Sequence, residues 1–399
     1  MNISSLKSAD FRLYLAGSHF ATNALWMLRV IVGWIAWDLT HLASFVGLIA
    51  FLNYAPTMIA GPLFGVLIDR VDVRRAALIA QSAFMGLALL LWALFNLDAL
   101  GTPQLMVYAL VVGFVMAAHG PIRMSLAPRL VDRAYVYSVV NIVAINFNIT
   151  RMIGPAIAGL AIAALGTGPA IFLTALFYLP FLAALSMLRV RASVNSRETP
   201  PPFWGALKEG CILVVKNSRI RHALLLTAAS GFFVRGALEI LPVIADGNFA
   251  RGAAGLGILT SATGFGAIVA GVWIALSSHS AGQVRLVTAR AAGVLGLVAT
   301  ALLGITTLWH AALALAAAMA FCATITGIVC QSAIQLDIDD NFRGRIMSLW
   351  AVVAVGTSAV GAAALGSLSD VVGYRQALPI SAVAALAMIG LLEVKRRWR

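Results

Sequence analysis

Charge is what this chain has least of: Asp, Glu, Lys and Arg make up 11% of its 399 residues, against 61% hydrophobic residues. A soluble domain carries about a quarter of its residues as charges, so there is too little polar surface here to cover a globule in water. Cysteine is scarce too. Cys211, Cys322 and Cys330 are scattered without redox or metal-ligand spacing, which excludes a disulfide framework. His19, His41, His222, His279 and His310 show no ligand-like spacing either, and no metal site is expected. The four lysines, Lys7, Lys208, Lys216 and Lys395, follow no glycine-rich loop of the kind that cradles nucleotide phosphates. No polar stretch is long enough to fold as a nucleotide-binding domain. These absences argue against an enzyme, a cofactor and a nucleotide-driven pump.

What the chain does have is apolar runs of helix length from end to end. About 20 helical residues cross the roughly 30 Å hydrocarbon core, and the runs are continuous and rich in Ala, Leu and Gly, not alternating as barrel strands are. The run over 13–39 is too long for the core of a signal peptide. Hydropathy and loop breakers predict twelve helical spans, from 12–39 to 374–394, with the fifth over 136–165 and the seventh over 220–245. The formal net charge of +13 has a placement that explains it without nucleic acid. Basic residues fill every second connection: Lys7 and Arg12; Arg70, Arg74 and Arg75; Arg129 and Arg133; the 189–221 stretch; Arg285 and Arg290; Arg343 and Arg345; and 395–399. The intervening loops hold Arg251 and Arg375. This is the positive-inside pattern with both termini cytoplasmic, which requires an even number of spans.

Six spans precede the longest polar stretch and six follow it. The expected organisation is a first half over 1–190, a cytoplasmic linker over 191–219 and a second half over 220–399. The linker carries Pro200-Pro201-Pro202 and then an amphipathic segment over 203–215 suited to the membrane surface. The halves resemble each other at an offset of about 207 residues: Gly154 and Gly159 correspond to Gly361 and Gly366 and, with a one-residue shift, Trp26 and Arg29 correspond to Phe232 and Arg235. Parallel repeats with sites near the membrane midplane describe a secondary transporter.

Two opposite charges, Arg235 and Glu239, sit in the seventh span. Four residues apart on a regular helix, they share one face, and charges at that depth face a partner or a watery cavity. They are either a mutually neutralised pair that pins two helices or a coupling site. Glu239 is the one acidic residue expected deep in the membrane, and it has no counterpart in the first half, where Gly33 occupies its place. Trp26, Arg29 and Thr22 share a stripe of the first span, and Asn141, Asn148, Arg151 and Pro155 a stripe of the fifth; both stripes are expected to line the cavity. The asparagines would serve equally as interhelical hydrogen-bonding glue. His119 and Arg123 are one turn apart in span four, where an imidazole either relays protons or makes a structural contact.

Between spans two and three runs Gly61-Pro62-Leu63-Phe64-Gly65-Val66-Leu67-Ile68-Asp69-Arg70-Val71-Asp72-Val73-Arg74-Arg75. This resembles the loop motif of the major facilitator superfamily, with Asp72 where the general pattern has glycine and Val73 in place of one basic residue. Further stretches resemble the branch of siderophore exporters that handle enterobactin: Trp26-Met27-Leu28-Arg29-Val30, Pro121-Ile122-Arg123, Arg151-Met152-Ile153-Gly154-Pro155, Phe232-Phe233-Val234-Arg235, and Arg343-Gly344-Arg345-Ile346-Met347-Ser348. The resemblance implies an all-α membrane protein of twelve helices in two pseudo-symmetric halves, in a bacterial inner membrane. It implies a cytoplasmic gate built from Gly65, Asp69, Arg70, Arg74, Arg75, Asp339 and Arg343. The element containing Gly154, Pro155 and Gly159 resembles the fifth-helix motif of antiporters and implies a packed bend and export.

With Arg29, Arg151 and Arg235 set against Glu239, the cavity is expected to be net positive, and Trp26 and Phe232 to offer stacking surface. The expected cargo is a small acidic or catecholate-like metabolite such as a siderophore, exported by a monomer in exchange for protons that Glu239, Arg235 and His119 handle. Efflux of lipophilic drugs, or uptake of a small metabolite or iron-loaded siderophore, are the alternatives.

Overall fold

The computed structural model describes residues 4–68, 71–190, 214, 217–277, 286–338 and 340–397, and among them the regular elements are all helices. In the first half α1 spans Ala9–Thr40, α2 Ala43–Ile68, α3 Val73–Asn96, α4 Thr102–Leu126 and α5 Val136–Leu165; α6, Thr167–Leu176, and α7, Leu179–Met187, form one span with a turn between them. In the second half α8 is Ser218–Ala229, α9 Gly236–Glu239, α10 Gly252–Ser277, α11 Leu286–Ile305, α12 Trp309–Asp337, α13 Asp340–Val372 and α14 Tyr374–Arg397.

Local chemistry sets several of these boundaries. Ser8 caps α1 by accepting from the Phe11 amide at 3.3 Å, and the helix stops where His41 enters the left-handed region at φ 50°. Asp72 caps α3, accepting from the amides of Arg74 at 2.9 Å and Arg75 at 3.1 Å. That is what the carboxylate does where the superfamily loop has glycine. Most of the linker expected over 191–219 lies outside the described residues.

Among the described residues, ten of the twelve expected spans are long and apolar enough to cross a membrane. The twelfth expected span, α14, is helical but is not one of those ten. The seventh is interrupted: α8 gives way to a π-helical segment, Ser230–Arg235, then the single turn of α9, then a second π segment, Val243–Asn248. Pro242 contributes to the break because it has no N–H to continue the ladder, and the chain tightens around it with Ile240 and Val243 donating three residues back. Gly236 contributes differently. A Cβ there would come within 2.7 Å of the Gly361 backbone on α13, so this irregular turn lies flush against its neighbour.

Helix α1 is the axis of the first half, with 72% of its most apolar stretch buried against 28% for the peripheral α3. The halves meet along two seams, α2 on α13 and α5 on α10. Under the repeat α2 corresponds to α10 and α5 to α13, so one seam is the image of the other. At the second seam Gly159 and Gly257 let backbones touch: a Cβ on either would sit 2.7 Å from the opposing chain. Helix α5 runs unbroken through Pro155. Cross-half hydrogen bonds gather at the end of the bundle where α1 finishes and α2 begins. Asp370 on α13 accepts from the amides of Ala43 at 2.7 Å and Ser44 at 3.0 Å, capping α2 from the opposite half. Trp37 donates its indole N–H to Asp246 at 2.9 Å.

Candidate functional site

A cavity of about 330 Å³ opens between α1, α2, α4 and the interrupted seventh span, with Phe147 of α5 and Thr260 of α10 closing its flank. Its walls are largely aliphatic, and its polar groups converge on one cluster. Arg29, about two thirds of the way along α1, donates through Nη2 to both carboxylate oxygens of Glu239 and to the Tyr54 hydroxyl; the hydroxyl donates in turn to Glu239 Oε1 at 3.1 Å. The guanidinium also lies 5.1 Å from the Tyr54 ring centre and 5.4 Å from that of Trp26. The Glu239 side chain is 13% exposed and that of Arg29 36%. Three elements from two halves therefore meet at one ion pair. Proton transfer to Glu239 would remove the charge that holds Arg29.

The expected pairing of Arg235 with Glu239 is corrected here. The π segment ends at Arg235 and the turn that follows, Gly236–Glu239, is α-helical, so the spacing itself holds. What differs is the partner, because the Glu239 carboxylate is taken by Arg29 and Tyr54 and makes no ion pair with Arg235 among the described residues. The two side chains reach different spaces. Glu239 enters the main cavity. Arg235 enters a second chamber of about 140 Å³ enclosed by α8, the first π segment, α12 and α13, where its Nη2 reaches the Ala323 carbonyl at 3.4 Å. Arg151 of α5 lines the same chamber, and its guanidinium lies 5.6 Å from the Trp26 ring centre, joining the two spaces. The single net-positive cavity expected from sequence is thus two chambers.

Trp26, Arg29, Glu239 and His119 line the main cavity. His119 meets the Phe84 ring edge-on, with centroids 5.7 Å apart, and among the described residues it makes no hydrogen bond. Arg123, one turn on, stacks over Phe147 at 4.5 Å. Phe232 packs against Phe233 and is not among the residues lining either chamber. Nor are Asn141 and Asn148; the Asn148 amide turns back to the Ala144 carbonyl of its own helix at 2.9 Å. Gly154 faces α1 instead, at Asn23 and Trp26.

Of the expected gate, Asp69, Arg70 and Asp339 lie outside the described residues, as do the surroundings of Gly65 and the side chain of Arg343. Arg74 does not reach across the halves: it donates to the carbonyls of Leu185, at 2.7 Å, and Ser186, at the end of α7. Those carbonyls have no partner within the helix and carry its negative dipole end, so they attract Arg74 within its own half. Arg75 makes an exposed contact with Asp72 at 3.9 Å.

Sequence reasoning missed Tyr54. The adjacent polar residues Asn53 and Tyr54 inside an otherwise apolar span were the signal available for it. It also missed Asp246 and Asp370, whose positions at helix ends make them look like ordinary loop acids.

A family model described as transmembrane secretion effector matches residues 2–397. The staphyloferrin A transporter of Staphylococcus aureus is 24% identical over 392 residues, covering 96% of this chain and 93% of that protein. The enterobactin exporter EntS of Salmonella choleraesuis is 26% identical over 406 residues, covering 98% and 93%. Among solved structures, a mutant of the nucleoside transporter NupG superposes with a TM-score of 0.78 at 11% identity, over 96% of this chain and 99% of that one. That likeness concerns the fold.

Proposed function

The chain belongs to the transmembrane secretion effectors of the major facilitator superfamily and is a secondary transporter, not an enzyme; on that premise we propose that it exports a small acidic, siderophore-like metabolite in exchange for protons. Its place in this reading is a bacterial inner membrane, with both termini cytoplasmic and the monomer as the working unit.

The observation that carries the proposal is the Arg29–Glu239 pair, with Tyr54 as its third member, because it joins the two halves at the cavity wall. An empty, deprotonated transporter is held by this pair and does not cycle. An anionic substrate that recruits Arg29 from inside releases the lock. So does a proton that neutralises Glu239 from outside. Either occupant permits the halves to rock and neither permits a leak, which is the requirement of antiport. The coupling is competition for one ion pair, in which Arg29 takes the part the sequence assigned to Arg235. His119, on the same cavity wall, is the relay candidate. Two relatives named for siderophores support the substrate class.

A second reading, efflux of lipophilic compounds, draws on the aliphatic wall formed by Leu28, Val46, Ile49, Val112, Met116 and Leu256. Deletion of the gene separates the two. Mass spectrometry of spent medium from iron-poor growth should show loss of one secreted acidic metabolite. Unchanged medium with raised sensitivity to lipophilic drugs would establish the second reading instead.

A further inference from the structure

The second chamber has a composition that the ion-pair lock does not use. Arg29 and Arg235 occupy matching places in the repeat. The first is neutralised by Glu239, whereas Arg235 shares its chamber with a second arginine, Arg151, and no carboxylate lines it among the described residues. Arg151 is repelled by Arg235 and Arg29, and Glu239, which lines the main cavity, attracts both Arg151 and Arg235 across the space between. Among the described residues the one hydrogen bond of Arg235 is the long contact to Ala323, and Gly327 leaves room beside its Nη2, where a Cβ would stand 3.1 Å away.

Two further polar groups on these walls lack a partner among the described residues, whereas Thr227 donates to the Ala223 carbonyl at 2.9 Å. Ser230 is 7% exposed and its hydroxyl has no hydrogen-bond partner; the Trp350 indole N–H is buried and equally unpaired. Both line this chamber. A buried donor without an acceptor is costly, and two such donors beside two guanidiniums, in a chamber that no carboxylate lines among the described residues, mark a place for an anionic acceptor. Arginine's planar fork matches a carboxylate in two parallel hydrogen bonds. At about 140 Å³ the chamber admits a carboxylate and the few carbons that bear it. It adjoins the main cavity through Arg151 and Trp26.

We propose that this chamber is a carboxylate-binding subsite, in which Arg151 and Arg235 grip the acid end of the transported molecule while Ser230 and Trp350 donate to its oxygens. The remainder of the molecule lies in the main cavity against Trp26. That the occupant is the cargo rests on the export reading; that the chamber binds a carboxylate does not.

The test is equilibrium binding to the purified full-length protein in detergent, without any gradient, with citrate as probe and sodium chloride at matched ionic strength as control. Melting temperature and tryptophan fluorescence report occupancy. Citrate should give a saturable response that chloride does not reproduce. Losing a charge-assisted bond corresponds to about ten-fold or more in affinity, so Arg235→Gln and Arg151→Gln should each weaken citrate by that factor, with Arg235→Lys in between. Ser230→Ala, which removes a single oxygen and leaves the packing in place, should weaken it a few-fold. No saturable response, an equal response to chloride, or unchanged affinity in both Arg235→Gln and Ser230→Ala overturns the subsite. Citrate binding that behaves as described beside an unchanged spent medium would leave the subsite standing and remove the export reading alone.

Discussion

Arg29 and Glu239 are 210 positions apart in the chain, and they close an ion pair from opposite halves of the molecule. Neither charge has another charged partner within bridging distance among the described residues. Their mutual dependence sets the first prediction. Arg29→Gln and Glu239→Gln should each destabilise the protein, and the double variant should be less destabilised than the sum of the two. The coupling energy expected for such a contact is about 1–3 kcal/mol. Thermal or denaturant melting of the four proteins in detergent measures it, and additive effects would show that the pair contributes nothing jointly.

Tyr54→Phe keeps the ring that stacks on Arg29 and deletes the hydroxyl that Arg29 and Glu239 share. A hydrogen bond to charged groups contributes about 1.5–3 kcal/mol. The variant should therefore melt at lower temperature than the wild type, and the loss should vanish in the Glu239→Gln, Arg29→Gln background, where no charge remains to be bridged. Melting curves in the two backgrounds decide it.

The seam between α5 and α10 depends on hydrogen at two Cα positions, Gly159 and Gly257. Gly159→Val drives a branched side chain into the Ala253 and Gly257 backbone. Helices that must separate here cost about 1–3 kcal/mol or more in overpacking. The expected result is a lower melting temperature together with faster thiol labelling of a cysteine placed at Ala253, read by mass shift.

Asp370 caps α2 across the halves at the end where α1 finishes. Replacing an N-cap acid by alanine costs about 0.5–2 kcal/mol. Because this cap belongs to the other half, Asp370→Ala should loosen the seam between α2 and α13 at this end without unfolding α2. Labelling of Ala50→Cys, on the main cavity wall, by a membrane-impermeant thiol reagent should rise several-fold while far-ultraviolet circular dichroism stays unchanged.

Much of the fold was legible because a membrane leaves few choices. Continuous apolar runs, basic residues in alternate loops and glycines repeating about 207 positions apart led to twelve helices in two halves. The cavity was legible in part. Arg29, Trp26 and Glu239 stood out because charges and a large aromatic at mid-span need a reason to be there. The partnership was not legible, since Arg29 and Glu239 lie 210 positions apart and only the packing of the two halves brings them together. Nor does a list of polar residues show that the helices divide their space into two chambers. Arg74 misled for another cause: a loop motif predicts which residues gather at a helix end, whereas the free carbonyls of Leu185 and Ser186 decided where its charge went.

The central claim is that protonation of Glu239 competes with Arg29 and so couples proton entry to export. The most direct measurement uses purified protein in liposomes with an imposed pH gradient, following the acidic metabolite that the deletion strain no longer secretes. Glu239→Gln should abolish accumulation against the gradient while leaving exchange of labelled for unlabelled metabolite intact, because the lock is gone and the passage is not. Gradient-driven accumulation by Glu239→Gln at the wild-type rate would contradict the account.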